Sequence, residues 1–270
     1  TTEDFGARGD RPTHPELLDW LAVEFVRRGW DVKDLVRMLV TSSTYRQDSR
    51  VSPELLDKDP INEFLARGPR FRVEGEFVRD IALVASGLLS DTVGGPSVYP
   101  PLPEGMLDLV YASGGWKPSE GADKYRRGLY TFWKRTMPYP TSITYDCPAR
   151  DVAVVKRGRS NTPLQALALL NDPVFVEAAQ AMARRVLAEA PTTEEARLRY
   201  AFQLTTARPP DAEELARLQA FLAAQQERLT KDTAAANAIT GASEGATPEL
   251  GAWTALCRAL LNLDETVSRG

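Results

Sequence analysis

Residues 91–160 set the strongest limit on what this chain can fold into. The stretch DTVGGPSVYPPLPEGMLDLVYASGGWKPSEGADKYRRGLYTFWKRTMPYPTSITYDCPARDVAVVKRGRS keeps neither the 3.6-residue period of a helix nor a long strand alternation. Irregular segments this long inside a compact domain are as a rule functional or disordered. Its aromatic content, Tyr99, Tyr111, Trp116, Tyr125, Tyr130, Trp133, Tyr139 and Tyr145, argues against disorder. A binding site, if the chain has one, is expected here.

The flanks read as helix. Thr13-His14-Pro15-Glu16 has the form of a capping box before a helix with Leu17, Leu18, Leu21, Ala22 and Phe25 on one face. Gly29 ends it, and Asp31 opens a second helix with Leu35, Val36, Leu39 and Val40 inward. Residues 42–75 are mixed. A third helix is expected from Glu74 to Leu89 with Phe77, Ile81, Val84 and Leu88 in register. Beyond the centre, caps are expected at Thr162, Asp172, Thr192, Asp211 and Thr247, with proline next after three of them. The last helix should bury Trp253, Leu256, Leu260 and Leu263. Residues 230–246 read as a linker or disordered loop. The strand candidates are residues 127–134 and 152–155. The expected fold is mainly α: one irregular helical domain spanning 1–270, with a helical part (13–90), the loop-rich centre (91–160), a helical bundle (161–270) and at most a small β element.

Composition narrows the function. At 43% hydrophobic and 26% charged residues, the chain can bury a sizeable core. A net charge of −4 with interleaved signs gives poor support for nucleic-acid binding. No apolar run approaches a membrane span. No secretory signal is visible, and the start at Thr-Thr-Glu-Asp reads as a piece of a longer protein. Cys147 and Cys257 do not make a disulfide framework, although one bridge between them stays open. No Cys-x-x-Cys-His motif attaches haem. A single histidine, His14, and two widely spaced cysteines offer no metal site, so His14 is read as structural and no metal is expected.

Four constellations are candidates for chemistry. Arg150, Arg157, Arg159 and Asn161 precede a helix start, where free N–H groups and forked guanidinium donors favour an anion. The alternative is that the arginines pair with Asp146, Asp151 or Asp172 and pin the loop. Trp116, after Ser113-Gly114-Gly115, offers an aromatic face for a sugar ring, with Tyr130 and Trp133 read as core. Glu104, Asp108, Glu120, Asp123, Asp146 and Asp151 include pairs that could do acid–base work on a glycosidic bond, with Tyr145 as a possible acid or base. A calcium site from loop oxygens is open, but no EF-hand motif is present.

Several stretches together resemble a known family. They are HPELLDWLA (14–22), TSSTYRQ (41–47), LARGPRFR (65–72), SGLL (86–89) with GGP (94–96), YRRGLYTFWKR (125–135), and NTPLQAL (161–167) with LNDP (170–173). The combination is similar to the C-terminal domain of unknown function in large planctomycete-type exported proteins, which often also carry a cytochrome-c-like domain. The resemblance spans nearly the whole chain. It implies an exported multidomain parent, with haem carried only by a separate cytochrome-like domain and no cofactor in this chain. It supplies no catalytic residues.

The leading expectation is a non-catalytic ligand- or partner-binding module. It would recognise an anionic or carbohydrate group through Arg150, Arg157, Arg159, Asn161, Trp116, Tyr145, Asp146 and Asp151. The alternatives are a polysaccharide-active enzyme using loop carboxylates, and a structural domain that packs on the preceding domain of its parent and exposes an apolar patch when isolated.

Overall fold

The computed structural model describes residues 4, 6–103, 105 and 116–269. Among them are twelve α-helices and one small antiparallel sheet of two strands. The chain is therefore mainly α, as the sequence implies. It divides into two compact units, residues 1–71 with 268–270, and residues 72–267, where the sequence suggests one domain.

The second unit holds the core. Helix α7 (Pro173–Glu189) runs through it, with Phe175, Ala178, Ala179, Met182, Ala183 and Val186 buried. Its alanines let neighbouring helices approach closely. Helix α4 (Gly75–Ser86) packs there through Val78, Ala82 and Ala85, and α11 (Pro248–Leu261) through Trp253, Leu256 and Leu260. Helix α9 (Ala212–Lys231) adds Leu215, Leu222 and Leu229 at seven-residue spacing, which keeps them on one side. Helices α5 (Pro140–Thr144), α6 (Pro163–Asn171), α8 (Glu194–Thr206), α10 (Thr233–Thr240) and α12 (Asp264–Val267) complete the unit.

Local signals explain most helix starts. Thr162 and Gln165 form a reciprocal capping box, as do Asp211 and Glu214. Asp172 and Thr247 accept from Val174 and Leu250, each with proline next in the chain. The cap expected at Thr192 falls one residue later, where Thr193 accepts from Ala196. The box expected at Thr13 does not form. His14 takes the cap position without a side-chain cap bond, and its Nδ1 lies 2.9 Å from the Thr13 hydroxyl.

Three other expectations are corrected. In α4, Phe77 and Val84 are exposed, because a close approach to alanine-rich α7 selects the small face instead. Residues 230–246 carry α10 and are not a simple linker: Asp232 caps an alanine-rich turn whose Ala236 is fully buried. Residues 127–134 and 152–155 form no ladder. Among the described residues of that region only isolated bridges occur, Ser90 to Arg126 and Val98 to Thr131, and Val152, Val154 and Val155 are exposed.

The first unit contains α1 (Pro15–Arg27), α2 (Val32–Thr41) and α3 (Pro53–Lys58). Gly29 and Trp30 take positive φ of 74° and 62° to turn between the first two helices. Asp31 caps α2 through the Asp34 amide. Arg27 and Arg28 both hydrogen-bond Glu24, and Arg28 also reaches Asp34 at 2.7 Å. These guanidinium bonds hold the Glu24 carboxyl down to about 2. Strand β1 (Phe71–Arg72) pairs with β2 (Ser268–Arg269), which returns the end of the chain to this unit.

Truncating the indole at the centre of the second unit tests where its stability resides. Trp253→Ala should cost about 3–5 kcal/mol, read as a lower urea midpoint for the helical signal. A change under about 1 kcal/mol would place the core elsewhere.

Candidate functional site

The irregular centre is held by buried arginines. Arg72 donates from Nε to the Ser160 carbonyl at 2.8 Å, from Nη1 to the Val73 carbonyl at 2.8 Å, and from Nη2 to Asp146 Oδ2 at 2.5 Å. Asp146 in turn accepts from the Ser160 amide at 2.7 Å and the Ser160 hydroxyl at 2.9 Å. Gln165 donates to the Thr144 carbonyl at 2.9 Å and to the Ser160 hydroxyl at 3.1 Å. The Tyr145 hydroxyl donates to the Gln165 carbonyl at 2.9 Å, and its ring lies beneath the Arg72 guanidinium. Gly75 makes room for this packing, since a Cβ there would stand 2.7 Å from Cys147 Sγ and 2.9 Å from Tyr145 Cβ.

A second clasp surrounds Arg126. It donates to the carbonyls of Pro96, Thr92 and Gly94 and stacks 3.8 Å from the Tyr130 ring centroid, while the Gly94 amide donates to the Tyr130 hydroxyl. The GGP and YRRGLY stretches are thus wrapped on each other. Arg79 of α4 donates to the carbonyls of Lys124 and Arg126, and Asp80 accepts from the Gly128 amide at 2.6 Å. Gly128 sits so close that a Cβ would lie 2.5 Å from the Glu76 carbonyl oxygen.

The candidate ligand-binding residues are distributed as follows. Arg157 bridges Glu74 at 2.9 Å and Glu76 at 2.8 Å, so its charge is matched internally, by different acids from those the sequence suggested. Asp146 is matched by Arg72. Exposed Asp151 lies 3.3 Å from Arg135. Arg150 is exposed over the Trp133 ring at 5.2 Å. Arg159 is exposed and engaged in contact with its surroundings. Asn161 faces Asp264 at 3.5 Å. Trp116, 6% exposed, stacks on Tyr139 with centroids 6.0 Å apart and donates to the Pro100 carbonyl. It belongs to a small aromatic core with Tyr99, Phe132 and Met137. Glu104, Asp108, Tyr111 and residues 113–115 lie outside the described residues.

Titration follows these contacts. Burial would raise the Asp146 carboxyl, but the Ser160 hydrogen bonds and the Arg72 charge outweigh it and hold it low. Burial, then the Glu76 carboxylate, pushes the Cys147 thiol up to about 12, and burial raises Cys257 as well. Both cysteines are free. Among the described residues no three His, Cys, Asp or Glu side chains gather as a metal site, and no helix is long and apolar enough to cross a membrane.

The first unit presents a different surface. No hydrophobic side chain of residues 1–71 is buried among the described residues. Sixteen of the twenty-eight exposed large hydrophobics lie there, including Trp20, Val23, Trp30 (66%), Val36, Ile61 (79%) and Phe64 (70%). The sequence groups Leu17 and Leu18 on one face of α1 and places Val36, Leu39 and Val40 of α2 inward, yet all five are exposed. The signal was available: Leu17, Leu18, Trp20, Leu21, Val23, Phe25 and Val26 cover more of α1 than one face, as in a helix enclosed on several sides.

The stretches that build these sites also carry the family match. The chain belongs to the PSD1 family. That family is described as "Protein of unknown function (DUF1553)", and its model matches residues 1–222. The PSD1 match takes in the whole first unit up to Phe71, the arginine clasps and α4 to α8. No curated protein and no solved structure matches the chain.

The Arg72 clasp has a pH signature. The Asp146 carboxyl is lower in the folded chain than its ordinary 3.8, so the stability it contributes is complete above 3.8 and is lost as pH falls through the folded value. Asp146→Asn should therefore cost about 2 kcal/mol at neutral pH, and the gap to wild type should close in acid. A gap that is constant with pH in urea denaturation would contradict the charged clasp.

Proposed function

We propose that this PSD1 chain is a non-catalytic partner-binding module whose first unit is completed by an apolar protein surface, that of an adjoining domain of its parent. The observation that carries this is the contrast between the units. The second has a packed core; the first exposes Leu17, Trp20, Val23, Val26, Trp30 and Val36 and, among the described residues, buries no hydrophobic side chain. Exposed apolar side chains in this number on two successive helices fit an interaction site. Helices of 13 and 10 residues are marginal in water without tertiary packing.

The non-catalytic reading is supported by how the candidate catalytic groups are used. Asp146 and Tyr145 belong to the Arg72 clasp, and Asp151 is exposed beside Arg135. Recognition of an anionic or carbohydrate group at residues 116–161 is a second reading, supported by exposed Arg150 over the half-buried Trp133. An exported multidomain parent of planctomycete type, with haem on a cytochrome-like companion, is the setting that the motif resemblance supports.

The docking face is tested on the whole chain by sedimentation and by binding of an apolar dye. Wild type should bind the dye and self-associate with rising concentration. Val23→Asp with Val36→Asp should suppress both, while the helical melting of the second unit stays within about 0.5 kcal/mol. A monomeric, dye-silent wild type would overturn the reading.

A further inference from the structure

Two family-like stretches of the first unit, 41–47 and 67–69, are not used by the docking reading, and they meet around one cavity of about 600 Å³. Tyr45, Arg46, Gln47, Ser49, Pro69 and Arg269 are among the residues that line it. That volume lies within the range of small-ligand sites.

The walls are built by specific bonds. The Gln47 side chain donates to the carbonyls of Thr44 at 3.2 Å and Leu65 at 2.7 Å. The Gly68 amide donates to the Asp48 carbonyl at 2.9 Å, and a Cβ at Gly68 would stand 2.6 Å from the Gln47 carbonyl oxygen. Only glycine allows that approach. Asn62 accepts from the Arg67 amide and donates to the Arg67 carbonyl, which fixes the loop leading into Gly68.

The cavity wall is one-sided in charge: among the described residues its lining includes Arg46 and Arg269 and no acidic side chain. Asp48 lies against Arg50 at 3.4 Å. Arg269 stacks 4.6 Å from the Tyr45 ring centroid, and a stacked guanidinium keeps its N–H edge free to donate. Among the described residues neither Arg46 nor Arg269 has a carboxylate partner.

We propose that this cavity binds a small oxyanion, a carboxylate or phosphate, carried on a body with an apolar face that lies against Tyr45 and Pro69. Two guanidinium forks supply charge-assisted donors of the geometry such anions accept. Gln47 is held by backbone carbonyls and acts as scaffold, while Ser49 is a further donor on the wall. The inference needs no partner protein, although Val40 and Thr41 at the end of α2 form part of the wall.

The test is a titration of the full chain with inorganic phosphate, phenyl phosphate and benzoate at low salt, followed by the amide resonances of residues 45–49. At least one anion should give saturable shifts that weaken as salt is added. Arg46→Gln and Arg269→Gln should each weaken binding about tenfold, and Arg217→Gln, on the exposed side of α9 in the second unit, should leave it unchanged. Phosphates alone binding would identify a phosphate ligand, and benzoate alone a carboxylate. Should Arg269→Gln disturb the Tyr45 stack, Arg46→Gln still decides. No saturable shift with any anion up to about 20 mM, or equal binding in wild type and both variants, would overturn the proposal.

Discussion

Buried guanidinium groups are what allow an irregular chain to pack in the second unit. A segment without helix or sheet leaves backbone carbonyls without partners, and such groups are costly when buried. Arg72, Arg79 and Arg126 are all buried, and together they donate to eight backbone carbonyls. They take the place of a sheet. The residues around them suit that role. Glycine stands at 75 and 128, where backbone and side chains come within van der Waals contact. Tyrosine at 130 and 145 lies beneath the cations, and Asp146 balances Arg72. Much of what makes the centre look like a binding site in the sequence, clustered aromatics and arginines, is the apparatus that holds it in place.

The two units differ in how they meet the cost of folding. The second buries a continuous set of side chains from α4, α7, α9 and α11. The first relies on the Asp31 cap, the Glu24–Arg27–Arg28–Asp34 network and an edge contact between Phe25 and Trp30 at 5.3 Å. Exposed ion pairs contribute little, so these do not replace a core. This difference is the basis of the proposal that a partner surface covers the first unit.

Legibility in the sequence followed the range of the interactions. Caps at Thr162, Asp172, Asp211 and Thr247 were readable because the signal lies within four residues. The buried face of α4 was not, because alanine-rich α7, about a hundred residues away in the chain, selects it. Nor were the clasps, since Arg72 and its Ser160 carbonyl are 88 residues apart. The pairing of Arg157 was foreseen in kind but not in partner: acids at the start of α4 reach it, not those nearby in sequence. The apolar surplus of α1 is legible in the sequence, but a helix pattern alone does not say what covers it.

Hydrogen exchange on the isolated chain tests the central claim most directly. If the first unit depends on a surface outside itself, amides in α1 and α2 should exchange through openings of about 1–2 kcal/mol, while those of α7 and α11 exchange near the global unfolding free energy. Equal protection of α1, α2, α7 and α11 would show that the first unit is stable by itself, and would contradict the account.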